Sequence, residues 1–170
     1  MKITASGKKG CCSNCLCSTV ELNHNEIKEI ILNAESVLLT QPSIFFTFDR
    51  KWSSNFPKNG GVYLVFDKGV LIYVGESANV KERMKDFKRT VNHTFRRKLG
   101  KHLFKGATIT NGKFNDEIES YLNQYYIDNI SVSAIEIIFG RTEIESNLIE
   151  KYKKSGILNS ESKRNATQFI

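Results

Sequence analysis

The sequence predicts a mixed α/β (α+β) fold: a small three-stranded antiparallel sheet flanked by helices, with an N-terminal extension and an inserted basic helical segment. Two short β-branched and aromatic runs, 62–66 and 70–75, flank Asp67, Lys68 and Gly69, which suits a hairpin whose three-residue loop puts glycine in the left-handed position. A third run, ISVSAIEIIF at 130–139, is rich in β-branched residues and reads as a central strand. Around these runs apolar residues recur at three- and four-residue spacing, the period of helices that bury one face. At 170 residues and 40% hydrophobic content, the chain suffices for one core. It divides into a cysteine-rich arm at 1–22, a helical extension at 23–59, a main domain at 60–159 with its basic insertion at about 89–112, and a polar tail at 160–170.

Taken in order, the arm holds Cys11, Cys12, Cys15 and Cys17 in CCSNCLC, and no cysteine occurs elsewhere. Cys12 and Cys15 have the spacing of a zinc-ligand pair. Four thiolates from seven consecutive residues make a strained cage, however, so a reduced, mobile arm is the alternative to Zn2+. From Asn25, IKEIILNAESVLL sets Ile27, Ile30, Ile31, Ala34 and Leu38 near one helical face, with Asn23 or Asn25 as a cap. SIFFTFDRKW alternates only in part and fits a strand or an extended connector equally; FPKNGG then marks a boundary. A three-residue hairpin loop sets Phe66 opposite Val70 and Tyr63 opposite Tyr73, so both phenols share one face. An aromatic pair on a sheet is also ordinary packing.

After the hairpin comes a helix capped by Ser77 or Asn79, with Val80, Met84 and Phe87 as its buried stripe. Arg83 lies roughly 40° from Phe87 around that helix, at the margin of the stripe, and can still reach outwards. Phe95, Leu99 and Leu103 predict a second basic helix carrying Arg96, Arg97, Lys98 and Lys101 on its other faces. GKFNDEIESYLNQYY predicts a third, with Ile118, Leu122 and Tyr125 inward. In the last helix, RTEIESNLIEKYKK, Ile144, Leu148, Ile149 and Tyr152 form an apolar arc, and Glu145 falls inside it. Burying an ionised carboxylate is costly unless a cation or donors compensate, so Glu145 calls for a metal or for a structural salt bridge. Spacing favours neither.

The formal charge is +7, and its placement is uneven: 81–105 contains ten Lys or Arg against only Glu82 and Asp86. A concentration of one sign is the footprint of a polyanion site, although a basic helix kept for solubility would also produce it. No run approaches the length of apolar sequence that a membrane span needs, and MKITASGKKG lacks the apolar stretch of a signal peptide. The expectation is a soluble, cytoplasmic protein with no membrane partner.

Four pieces occur in a telling order: Gly61-Val62-Tyr63, Tyr73-Val74-Gly75, Arg83 at the end of VGESANVKER, and Glu145 within IESNLIEKY. Together they resemble the GIY-YIG nuclease superfamily, over 60–159 with an insertion after Phe87. Lacking a separate DNA-binding domain, the chain is most similar to a small type II restriction endonuclease of that superfamily. It departs from the pattern in three places. Phe87 stands where a histidine often follows the arginine by four residues, leaving Lys88 or His93 as substitutes; Lys154 replaces a proline; and Asn159 comes two residues late.

The resemblance implies a site-specific endonuclease acting on double-stranded DNA. Glu145 would hold one divalent cation, Mg2+ or Mn2+, and Arg83 would clamp the scissile phosphate. Tyr63 would orient the attacking water and take its proton, directly or through a second base, its phenol made more acidic by the basic segment. Tyr73 would hydrogen-bond nearby, and Lys88 would act as a local cation or proton carrier. One centre per subunit implies a homodimer for double-strand cleavage, with Arg89, His93, Arg96, Arg97, Lys98 and Lys101 contacting DNA. A structure-selective or repair nicking enzyme and a non-catalytic nucleic-acid binding module are the alternatives.

Overall fold

A computed structural model describes residues 23–159; the cysteine cluster, and with it the zinc expectation, and the tail at 160–170 lie outside the described residues. The chain forms a mixed α/β fold with five α-helices and one four-stranded antiparallel sheet among the described residues.

Helix α1, His24–Thr40, begins at a capping box: the Asn23 side chain accepts from Glu26 N, and the Glu26 carboxylate accepts from Asn23 N. Its buried stripe is Ala34 and Leu38, with Ile31 at the margin; Ile30, expected on this face, is exposed. Glu35 is buried on the same helix, where Lys151 Nζ and the Tyr152 hydroxyl satisfy its carboxylate.

The aromatic stretch that fitted strand or connector equally becomes both. Ile44–Phe45 form strand β1, and a 3-10 turn follows at Trp52–Asn55. Strands β2, Gly61–Asp67, and β3, Val70–Ser77, make the hairpin, and β4, Ile130–Glu136, completes a sheet of order β1-β4-β2-β3. The sheet therefore has four strands where three were expected. The extra one makes only two pairings, Ile44 with Val132 and Phe45 with Ser131, too few to leave a period in the sequence. Strand β4 is central, as expected, but ends at Glu136; Ile138 and Phe139 sit exposed in the loop beyond.

The hairpin differs from expectation in an instructive way. Lys68 and Gly69 both have positive φ, 50° and 81°, and Asp67 pairs with Val70, so the turn has two residues rather than three. That turn alone would have put Tyr63 and Tyr73 on opposite faces. A bulge between Val65 and Phe66 inserts Ile72 as an extra residue, after which Val65 faces Tyr73 and Tyr63 faces Gly75. The tyrosines are diagonal rather than opposite, yet they share a face.

Helices α2, Val80–Lys85, α3, Thr94–Leu103, and α4, Asp116–Asn129, cover the tyrosine face, where Phe46 packs edge-on to Trp52 and Tyr126 and Phe87 stacks on Phe95. The buried residues of α4 are Leu122 and Tyr126; Tyr125 turns aside and donates to Asp67 Oδ2 at 2.6 Å. Helix α5, Arg141–Tyr152, packs with α1 on the other face over Val62, Leu64 and Val74. Among the described residues no helix is long and apolar enough to cross a membrane.

Candidate active site

Two glycines let the strands come close enough to build the site. A Cβ on Gly61 would lie 2.1 Å from the Ile135 carbonyl oxygen, and one on Gly75 would lie 2.3 Å from Tyr63 Cζ. The Tyr63 ring thus lies flat across Gly75, with the Tyr73 ring beside it at 6.4 Å between centroids and 31° between planes. Helix α2 starts at the Asn79 cap, whose side chain accepts from Glu82 N, and this sets Arg83 against the tyrosine face. Arg83 Nη1 donates to the Asn92 carbonyl at 3.0 Å, while its charge and a hydrogen bond act on the Tyr63 phenol.

Glu145 reaches this group around the sheet edge. Strand β3 is an edge strand, so Glu76 N–H points outward, and it donates to Glu145 Oε1 at 3.2 Å. Glu145 is half-buried and its charge is felt at both tyrosines. Arg141, on the same helix, pairs with Glu76 instead, Nε to Oε2 at 2.7 Å. Two backbone groups further along the edge are held by Asn159: its Oδ1 accepts from Val74 N at 2.9 Å and its Nδ2 donates to Val74 O at 2.8 Å. Leu158 N donates to Ile72 O at 2.7 Å. The asparagine that comes late in sequence is therefore a clasp on the strand that carries Tyr73.

His93 is fully buried, with Nε2 3.5 Å from Tyr63 Oη and its ring edge-on to Phe87 at 4.8 Å; Nδ1 has no hydrogen-bond partner. Burial, and then the charges of Arg83 and Arg97, hold the imidazole neutral, well below its ordinary range. This corrects the expectation that His93 contacts DNA from the surface. Phe87 occupies the wall against which His93 packs, and the two residues together fill the inner end of the site.

The electrostatics also correct one expected role. Burial raises the Tyr63 pKa, and although Arg83 opposes it by charge and hydrogen bond, burial with Glu145 and Glu76 prevails. Burial likewise raises Tyr73, helped by Tyr63 and Glu145 and opposed by Arg83 and Arg97. Both phenols are thus protonated at neutral pH, and in the free protein neither is poised to deprotonate a water. The basic segment does not make Tyr63 more acidic, because desolvation disfavours the phenolate more than nearby cations favour it.

The inserted helix separates into distinct roles. Arg97 Nη1 donates to the carbonyls of Thr90 and Val91, at 3.1 and 2.7 Å, and so ties the 90–94 turn beside the site. Lys98 Nζ stands 5.9 Å from the Tyr73 ring centroid, over its face. Arg96 is not a DNA contact: it is 1% exposed, and its guanidinium binds Glu119, Thr90 and Asn123 and lies 5.1 Å from the Tyr126 ring. Lys101 and Arg89 are exposed, Arg89 with Asp86 at 3.4 Å. Lys88 stands over Phe48, 5.5 Å from its centroid, in a groove of about 460 Å³ with Arg50, Lys85 and Arg89 above Trp52. The cations beside Tyr63, Tyr73 and His93 are Arg83, Arg97 and Lys98, whereas Lys88 stands over Phe48.

Among the described residues no group of three or more His, Cys, Asp or Glu side chains gathers as a metal cage. Glu145 is a single hard oxygen donor at a half-open sheet edge, which suits an ion that keeps most of its waters, Mg2+ or Mn2+. Compared with protein-family models, with curated proteins and with solved structures, the chain matches none of them. Chemically, the site combines one carboxylate, a guanidinium, two neutral phenols and a neutral imidazole, which can neutralise a phosphodiester and hold a water beside it.

Proposed function

We propose that the protein is a metal-dependent endonuclease of the GIY-YIG kind that hydrolyses phosphodiester bonds of double-stranded DNA, acting as a type II restriction enzyme. The observation that carries this reading is that the Tyr63 and Tyr73 rings of β2 and β3 lie side by side, with Glu145 of α5 held at the neighbouring sheet edge and the charges of Glu145 and of Arg83 from α2 acting on both phenols. Arg83 clamps the scissile phosphate, since its charge persists at any working pH. When bound at Glu145, a divalent cation supplies Lewis-acid neutralisation of the charge that grows on the phosphate. Tyr63 positions the attacking water by hydrogen bond, its hydroxyl lying 3.5 Å from His93 Nε2 and under the charge of Arg83. The neutral imidazole of His93 is the neighbouring group that can take a proton passed on by Tyr63.

One hydrolytic centre cuts one strand, so double-strand cleavage calls for a homodimer and a palindromic or nearly palindromic site. Exposed Arg89 and Lys101 hold duplex phosphates in this scheme. The test is Glu145→Ala with plasmid DNA and Mg2+. Retained binding with loss of cleavage is expected; near wild-type cutting would remove the metal role. Sequencing the ends made by the wild-type protein distinguishes one fixed site on both strands from cutting that follows junctions or lesions, which would mark a structure-selective enzyme instead.

A further inference from the structure

Resting on the nuclease reading, one requirement of the reaction is still without a residue. As the bond from phosphorus to the 3′ oxygen breaks, its electron pair stays on that oxygen, which is a poor leaving group unless a proton arrives. Arg83 and Arg97 do not release protons at working pH. Tyr63 and His93 are occupied on the side of the attacking water, 3.5 Å from each other. Tyr73 holds its proton more tightly than an ordinary phenol, because burial raises its pKa.

Lys98 has the properties that remain. It comes from α3, in the inserted segment, and reaches the site beyond Tyr73, with its ammonium over that ring at 5.9 Å. The ring face keeps the cation in place. Burial lowers its pKa, which makes it a readier proton donor than a solvated lysine. It is half-buried rather than enclosed, so an incoming strand can meet it. The Tyr63 and Tyr73 rings stand side by side at 6.4 Å between centroids, so Lys98 over the Tyr73 ring joins the same group of side chains as the phenol that positions the water.

We propose that Lys98 is the general acid that protonates the departing 3′ oxygen. The water oxygen forms a new bond to phosphorus while the bond to the 3′ oxygen breaks. A proton moves from Lys98 Nζ to that oxygen. The products are a 5′-phosphate and a 3′-hydroxyl, and the neutral amine regains its proton from solvent.

A leaving thiolate needs no proton, and this gives a test that a packing or phosphate-clamping role would not pass. Wild type, Lys98→Met and Lys98→Arg are compared in single turnovers with Mg2+, on duplexes carrying either the natural 3′ oxygen or a 3′ sulfur at the cleaved bond. Lys98→Arg keeps the charge over Tyr73 and guards against a fold lost in Lys98→Met. Both variants are expected to slow the oxygen substrate by about 10²–10⁴-fold, and to cut the sulfur substrate at near the wild-type rate. Equal losses on both substrates, or no loss on the oxygen substrate, would overturn the assignment. A wild-type protein that leaves the oxygen duplex intact would instead remove the nuclease reading, and this proposal with it.

Discussion

Replacing Arg96 by alanine should unfold the protein rather than weaken its hold on DNA. The guanidinium is 1% exposed, and Nη2 donates to Glu119 Oε2 at 2.7 Å, to Glu119 O at 3.1 Å and to Asn123 Oδ1 at 2.9 Å. Nε donates to Thr90 Oγ1 at 3.0 Å, and Glu119 in turn accepts from Phe114 N at 3.0 Å. Alanine removes the cation and leaves the carboxylate beside a cavity, a change worth about 3–5 kcal/mol when one member of a buried pair is lost. In a domain of this size that lowers Tm by roughly 6–20 °C. Urea unfolding followed by circular dichroism measures it. A loss under about 1 kcal/mol, accompanied by a tenfold or greater fall in DNA affinity, would show that Arg96 reaches nucleic acid and would refute the buried-pair argument. Acid supplies a second reading of the same pair. Burial alone would raise the Glu119 pKa, but hydrogen bonds from Thr90, Arg96 and Phe114 bring it below 4.5. A depressed carboxyl contributes stability that is present above its unfolded pKa and is lost as pH falls through the folded value, so Glu119→Gln should flatten the acid limb below about pH 4.5.

Gly75→Ala would drive a Cβ to within 2.3 Å of Tyr63 Cζ, so the ring must move; we expect a cost of about 1–3 kcal/mol and a loss of cleavage near 100-fold, with unchanged activity as the contrary result. His93 is neutral in the folded state with its pKa well below 6.5, so the unfolded chain binds the extra proton first and stability falls as pH drops below about 6.5, by up to about 1.4 kcal/mol per unit. His93→Gln should remove that slope below about pH 6.5, and an unaltered profile would show that the imidazole is not held neutral. Asn159→Ala removes both bonds to Val74 and should cost about 1–3 kcal/mol, read most directly as faster hydrogen exchange at the Val74 amide; protection equal to wild type would dismiss the clasp.

What the sequence disclosed was local. Asn23 and Asn79 announce their helices because a cap is a contact between near neighbours, and the stripe Val80, Met84 and Phe87 repeats at helical spacing. The common face of Tyr63 and Tyr73 was also foreseen, but for an incomplete reason: a three-residue loop and a two-residue turn plus a bulge give the same parity, and only the turn's backbone distinguishes them. Arg96 read as a surface cation because its partner, Glu119, lies 23 residues away on another helix, and a lone charge in a basic run carries no sign of a distant acid. The inward turn of His93 was hidden for the same reason, since its neighbours are Tyr63 on β2 and Phe87 just beyond α2. Strand β1 was simply too short to announce itself.

The clasped edge of the sheet reaches beyond catalysis. Asn159, Leu158 and Glu145 occupy outward backbone groups of β3, and the opposite edge offers only the two residues of β1. Among the described residues, little of either border is left as a template for a foreign strand, which guards a sheet this small against amyloid-like growth. A dimer that left these contacts in place would be joined through helical or loop surfaces, by side chains rather than by a continuous ribbon of backbone.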